Sequence, residues 1–182
     1  MSEYSDIEIL ELFKQDKKKE FAFGLILKKY KKQIYWHVRK IVISHDDADD
    51  VAQNTFVKIW KSLPDFRGES KLFTWIYRIA TNEALTFLNQ KKKKIFVSFT
   101  SVEEYLKNTI ESDVYFSGSE IQLKLQKAIL ELPEKQRIVF NMKYFDEMQY
   151  DQMSEILDTS VGALKASYHH AVKKVEDFLK NN

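Results

Sequence analysis

Apolar residues recur at steps of three and four along most of this chain, so the pattern predicts an all-helical protein. Ser5-Asp6-Ile7-Glu8 has the spacing of a capping box and starts a first helix, with Ile9, Leu10, Leu12 and Phe13 on its apolar side. A second helix runs from about Lys18 to Val42. Phe21, Leu25, Tyr30, Ile34, Val38 and Ile41 lie near one stripe. Lys28, Lys29, Lys31, Lys32, Arg39 and Lys40 occupy the other side, where solvation is the simplest expectation. Ser44 is placed to cap a third helix, Asp46 to Ser62, whose Ala48, Val51, Ala52, Thr55, Phe56, Ile59 and Trp60 keep the same period. Pro64 ends it.

The fourth helix has two faces. A turn, Pro64-Asp65-Phe66-Arg67-Gly68-Glu69, leads to Ser70, the expected N-cap, and then to a long run without Gly or Pro. Phe73, Ile76, Ala80 and Ala84 suit a core. Lys71, Trp75, Arg78 and Asn82 fall on another face. Ring, cation and amide together can stack on an unpaired base, meet phosphate and read a base edge. Lys91 to Lys94 follow as a further phosphate anchor, or equally as a solvated helix end. By spacing alone, aromatics at helical steps are more often core than ligand platform.

From Ile95 to Ser119 no clean period survives, and the stretch reads as a linker. Beyond it a helix is expected from Ser119 to Leu132. Another, with Pro133 in its first turn, reaches about Phe145. Tyr150 to Leu157 reads as a short helix, Asp158-Thr159-Ser160 as a turn, and Val161 to Lys180 as a last helix. Short helix, three-residue turn and longer helix is helix-turn-helix spacing, which also occurs as plain packing. Read as a DNA reader, the last helix offers Ser160, Gly162, Ala163, Lys165, Ala166, Ser167, His169, His170 and Lys173.

Composition narrows the options. Four Gly and two Pro in 182 residues agree with an all-α fold. With no Cys there are no disulfides, thiolate metal sites or Cys nucleophile. His169 and His170 diverge on a helix and lack a third ligand, so no metal or cofactor is expected. No signal-like start and no bilayer-length apolar run is present, so a soluble, cytoplasmic protein without membrane insertion is expected. The net charge is only +2, but Ile95 to Glu120 holds five acids against Lys107 and leaves +6 on the flanks, enough for two basic surfaces. No nucleophile–base pairing or Gly-rich phosphate loop is visible, so an enzyme is not expected.

Three motifs in order carry a family resemblance. Asp47-Ala48-Asp49-Asp50-Val51-Ala52-Gln53-Asn54-Thr55-Phe56-Val57-Lys58-Ile59-Trp60 resembles the core-polymerase-binding helix of bacterial RNA polymerase sigma factors of the extracytoplasmic-function group, in the sigma-70 superfamily. Phe66 to Asn82 resembles their promoter-melting segment. Leu132-Pro133-Glu134-Lys135-Gln136-Arg137 and Ser160 to Lys165 resemble their C-terminal DNA-binding region. The resemblance implies two small helical domains, a promoter-melting and core-binding domain over residues 1–94 and a helix-turn-helix domain over 120–182, joined by a flexible acidic linker over 95–119. It implies that Asp49, Asp50, Gln53, Asn54, Phe56 and Trp60 bind core RNA polymerase at the beta-prime clamp, with the beta subunit a further contact. Phe66, Arg67, Gly68, Lys71, Trp75, Arg78 and Asn82 would take the single-stranded −10 element, and the last helix would read the −35 duplex. An anti-sigma factor is an implied partner. Lys165, Ser167 and His170 stand where the family often has Arg, so fewer bidentate guanine contacts are available. The alternatives are a stand-alone helix-turn-helix repressor and a protein-binding adaptor. The first leaves the third and fourth helices without a use, and the second leaves Arg67, Trp75, Arg78 and Asn82 without one.

Overall fold

The computed structural model describes residues 4–95 and 120–181. The expected Ile95–Ser119 linker therefore lies almost wholly outside the described residues. Those residues form eight α-helices and two short 3-10 turns, with no strand. Helices α1 (Asp6–Phe13), α2 (Lys19–Val42), α3 (His45–Ser62) and α4 (Leu72–Ile95) make the first half. Helices α5 (Glu120–Leu130), α6 (Glu134–Tyr144), α7 (Tyr150–Leu157) and α8 (Val161–Asn181) make the second.

The capping signals operate as written. The Ser5 hydroxyl accepts from the Glu8 N–H, and Glu8 reaches back to the Ser5 N–H at 2.7 Å. The Ser5 N–H, and then the Ser5 hydroxyl donating to the same carboxylate, hold the Glu8 carboxyl below its usual range. Ser44 caps α3. The fourth helix differs: it starts at Leu72, and the Lys71 carbonyl accepts its first helical bond from the Trp75 N–H at 3.1 Å, so Ser70 is not the cap. Pro133 sits one residue before α6 rather than inside its first turn, where its fixed φ and missing N–H cost nothing. The α2–α3 corner had no sequence signal. Ile43 adopts φ +69° there, where Gly is the usual occupant. Its side chain is buried, and that packing holds the backbone in a conformation a β-branched residue otherwise avoids.

Helix α2 is central to the first half, with α1, α3 and α4 packed around it. Its buried stripe is Ala22, Ile26, Tyr30, Ile34, Val38 and Ile41. Phe21 is 54% exposed, so the inward face starts one residue later than the spacing suggested. In α4, Ile76, Ala80, Ala84 and Leu88 are buried and Phe73 is half-buried against Tyr77. The second half has its own small core of Ala128, Ile129, Leu132, Phe140, Ala171 and Val175.

The two helical domains pack against one another. Ile138, Val139, Met142, Met148, Met153, Ile156 and Leu164 join the same apolar core as α2 and α4, and α7 packs directly on α4. Burying a side chain of this size contributes about 1.5–3 kcal/mol, so this seam is a substantial part of the fold.

Candidate functional site

Three exposed surfaces carry the chemistry. The first is an open groove of about 930 Å³ between α2 and α3. Phe23, Leu27 and Tyr35 form one wall, Ala52, Phe56 and Val57 the other, with Lys28, Lys31 and Lys32 along one lip and Asp49 and Gln53 along the other. An apolar floor with opposite charges on its two rims suits an amphipathic helix. Asp49, Asp50, Gln53 and Asn54 are exposed on α3. Phe56 is buried and forms floor, while Trp60 is 37% exposed and packs edge-on against Phe13 and Phe23. The sequence placed this surface on α3 alone. The α2 wall was missed because Phe23, Leu27 and Tyr35 lie beside the buried stripe, where half-burial and a groove look alike. At one end of the groove the Tyr35 hydroxyl lies 2.6 Å from His45 Nδ1.

The second surface is the outer face of α4 with the turn before it. Lys71, Arg78 and Asn82 are exposed, as are Arg67 and Gly68. Gly68 has φ +73° with open space around it, so the residue serves the turn's backbone rather than a close approach. Trp75 does not stand free. It is half-buried, its ring 5.0 Å from that of Phe66. The pair forms a fixed aromatic ledge beside three cations and an amide. Beneath the turn, α1 and Phe66 line a hollow of about 380 Å³ that Arg67 and Gly68 rim. The expected further anchor, Lys91 to Lys94, belongs to α4 itself, and Lys91 is ion-paired with Asp47.

The third surface is on α8. Leu164, Ala171 and Val175 face inward and Tyr168 is half-buried against Phe140. Desolvation pushes the Tyr168 phenol above its usual range. Ser160, Gly162, Ala163, Lys165, Ala166, His169, His170 and Lys173 are exposed on the opposite arc, with Ser167 partly covered at its edge. Asp158 ends α7 in the left-handed conformation, and the Ser160 hydroxyl accepts from the Ala163 N–H at 3.3 Å. Lys165 leans over the Tyr150 ring, 5.7 Å from its centre, which sets its direction. The His169 and His170 rings are 5.9 Å apart, and among the described residues no group of three or more metal-ligating side chains occurs.

A buried polar knot ties the halves together. His37 of α2 touches Thr81 of α4 and Asp146, which lies in the turn after α6. Lys40 pairs with Asp146, and Asn141 donates to the Lys40 carbonyl at 3.1 Å. Burial would raise the Asp146 carboxyl, but the His37 hydrogen bond and the charges of His37 and Lys40 outweigh it and hold it below its usual range. Burial, and then the Asp146 charge, push the Tyr77 phenol well up. The sequence reading missed this knot.

Comparison with known proteins returns one family for both halves. The Sigma-70 region 2 family model matches residues 26–94, and the Sigma-70, region 4 model matches residues 122–175. The chain is similar to the ECF RNA polymerase sigma factor SigW of Bacillus subtilis, 28% identical over 185 residues that cover 97% of this chain and 99% of that one. It is similar also to the RNA polymerase sigma-H factor of Pseudomonas aeruginosa, 26% identical over 188 residues that cover 99% and 96%. In fold it resembles the sigma factor RpoE solved in complex with the anti-sigma factor NepR from Bartonella quintana. That match has a TM-score of 0.69 at 20% identity, over 87% of this chain and 96% of that one. It resembles CnrH, solved in complex with the cytosolic domain of CnrY, at a TM-score of 0.64 and 20% identity over 90% of each chain.

Proposed function

We propose a division of labour for a chain that belongs to the sigma-70 family, in its extracytoplasmic-function group: the first half holds polymerase and opens DNA, and the second reads duplex. The protein is a sigma factor and directs RNA polymerase to promoters. Sigma factors are transcription initiation factors rather than enzymes. Among the described residues no helix is long and apolar enough to cross a membrane. The place of action is the cytoplasm, where the polymerase works.

Core polymerase docks in the α2–α3 groove through a helix of its beta-prime clamp. Phe56 and Val57 meet its apolar stripe, and Asp49, Asp50, Gln53 and Asn54 meet its basic side. The face of α4 takes the −10 element as single strand. Arg67, Lys71 and Arg78 hold phosphates, Asn82 bonds to a base edge, and the Phe66–Trp75 ledge supports an unstacked base. Unpairing costs a few kcal/mol per base, and stacking a captured base returns roughly 1–3 kcal/mol. A few captured bases therefore hold a bubble once polymerase supplies the remainder. The exposed arc of α8 enters the −35 major groove, with Lys165 and Lys173 as its permanent cations. An anti-sigma factor would act by covering the α3 face and the DNA surfaces.

The observation that carries this reading is the two-faced α4, with apolar residues buried on one side and cations, amide and aromatic ledge on the other. The stand-alone repressor would leave that face and the α2–α3 groove without a role. Reconstituted transcription with core polymerase tests it. Initiation that depends on the protein, lost in Asn82→Ala or Arg78→Ala while core binding persists, is expected. Variants that initiate normally would remove α4 from DNA opening.

A further inference from the structure

The groove between α2 and α3 has two lips of opposite charge that do not reach each other. Lys28, Lys31 and Lys32 stand on the α2 lip, and all three are exposed. Steps of three and four put them on one ridge of the helix, where like charges repel. Among the described residues no carboxylate pairs with any of them. Lys29, off the groove, is by contrast ion-paired with Asp6 at 2.8 Å. On the α3 lip Asp49 faces His45 Nε2 at 3.6 Å rather than a lysine. Both lips therefore hold their charge toward whatever lies in the gap.

That layout excludes most occupants. A nucleic-acid strand is anionic along its whole length, so the Asp49 lip repels it although the wall is aromatic. A wholly basic segment meets the lysines. A helix with an apolar stripe, one acidic flank and one basic flank satisfies both lips and the floor together. The groove also has two different ends. At the α2–α3 corner the Tyr35 hydroxyl meets His45 Nδ1 at 2.6 Å and closes it. At the far end the Phe23 and Trp60 rings stand edge-on. From Phe23 to Tyr35 the wall runs about 18 Å at about 1.5 Å per residue, room for roughly three turns of a docked helix. Turning such a helix end for end keeps its stripe on the floor but exchanges its flanks. Charged lips of opposite sign therefore accept it in one direction only.

Resting on the reading of this groove as the polymerase dock, we propose that Lys28, Lys31 and Lys32 are specificity-determining contacts for an acidic flank of the docked beta-prime clamp helix. With Asp49 opposite, they fix the direction in which that helix lies. The floor and walls, through Phe23, Leu27, Phe56 and Val57, supply affinity without regard to direction, because apolar burial is non-directional. The lips select by sign. Exposed rim charges of this kind act on association rate and on discrimination between orientations more than on total affinity.

The test measures binding of the full chain to core RNA polymerase at about 0.1 M and about 1 M salt, where charges are screened over roughly 10 Å and 3 Å. The chain carrying Lys28→Glu, Lys31→Glu and Lys32→Glu is expected to lose roughly tenfold or more in affinity at the lower salt and much less at the higher, since one exposed pair gives up to about fivefold. Core polymerase whose clamp helix has its acidic flank changed to lysine is expected to bind that variant better than it binds the parent. Lys17→Glu, Lys18→Glu and Lys180→Glu together change the net charge equally, at exposed positions outside the groove lining, and should stay within about twofold of the parent. A lip variant no weaker than this control, or one that the altered polymerase does not restore, overturns the proposal. Loss of self-association in sedimentation with core binding intact would assign the lip to a second copy of the chain and overturn it as well. Val57→Asp, at a wall position 48% exposed, tests the underlying reading separately. If it binds core as the parent does, the groove is not the polymerase dock and both fall. If it fails to bind while the lysine variant binds normally, the dock stands and the lysine lip has no part in it.

Discussion

Replacing Thr81 with valine isolates one hydrogen-bonded group at the seam between the halves. Thr81 is 1% exposed, and its hydroxyl lies within hydrogen-bond distance of the Tyr77 carbonyl and of His37 Nε2, both at 2.8 Å. Valine has nearly the same shape, so the substitution opens no cavity and keeps the β-branched rotamer. The Tyr77 carbonyl keeps its helical partner, because α4 runs unbroken through this turn. What changes is that His37 Nε2, inside a nearly dry site, loses its hydrogen bond to Thr81. Leaving a buried polar group unmet costs about 1–3 kcal/mol. For a chain of this size that corresponds to a fall in Tm of roughly 2–12 °C. The assay is urea unfolding followed by helical circular dichroism. Thr86→Val serves as control, since Thr86 is exposed on the same helix and should cost within about 0.5 kcal/mol of zero. Equal midpoints for the two variants would refute the Thr81–His37 hydrogen bond as a contributor to the fold.

Other outcomes follow from single features. The Asp146 carboxyl is held low in the folded chain, so its contribution is present above the unfolded carboxylate range and is lost as pH falls through its folded value. Stability measured down the acid limb should therefore fall less steeply in Asp146→Asn than in the parent. Met153 is fully buried in the shared core, and Met153→Ala should cost about 2–5 kcal/mol in denaturant unfolding. Gly68→Ala meets no neighbour but forces a side chain to φ +73°. It should cost about 1–2 kcal/mol from backbone strain alone, read as a lower Tm, and weaken −10 strand binding in gel shift with core polymerase.

Most helix positions were legible because each helix satisfies its own backbone and marks its own ends. Ser5 and Ser44 cap as their spacing predicts, and α7, the Asp158 turn and α8 fall where short-range pattern places them. The outward faces were legible for the same reason. Asp49, Asp50, Gln53, Asn54, Lys71, Arg78, Asn82 and the α8 arc are exposed because helical period sends them away from buried neighbours. Where a residue's position depends on another element, pattern misled. Phe21 has the right chemistry for the α2 stripe, but nothing packs over it deeply enough to bury it. Trp75 has the spacing of a free platform, yet the preceding turn lays Phe66 against it. The α2 wall becomes a groove only because Phe23, Leu27 and Tyr35 face Ala52, Phe56 and Val57 of α3 across an open gap.

The sequence by itself determined the all-helical fold, the order of the helices, the family and the polar surfaces, because these follow from interactions within about one helical turn and from which side chains water tolerates. Tertiary structure alone decided that the two halves share a core and that His37, Thr81 and Asp146 meet. Those contacts join positions 44 and 109 residues apart. Chain closure over such lengths leaves no local trace, and a buried histidine and a loop aspartate look ordinary until the fold puts one in reach of the other.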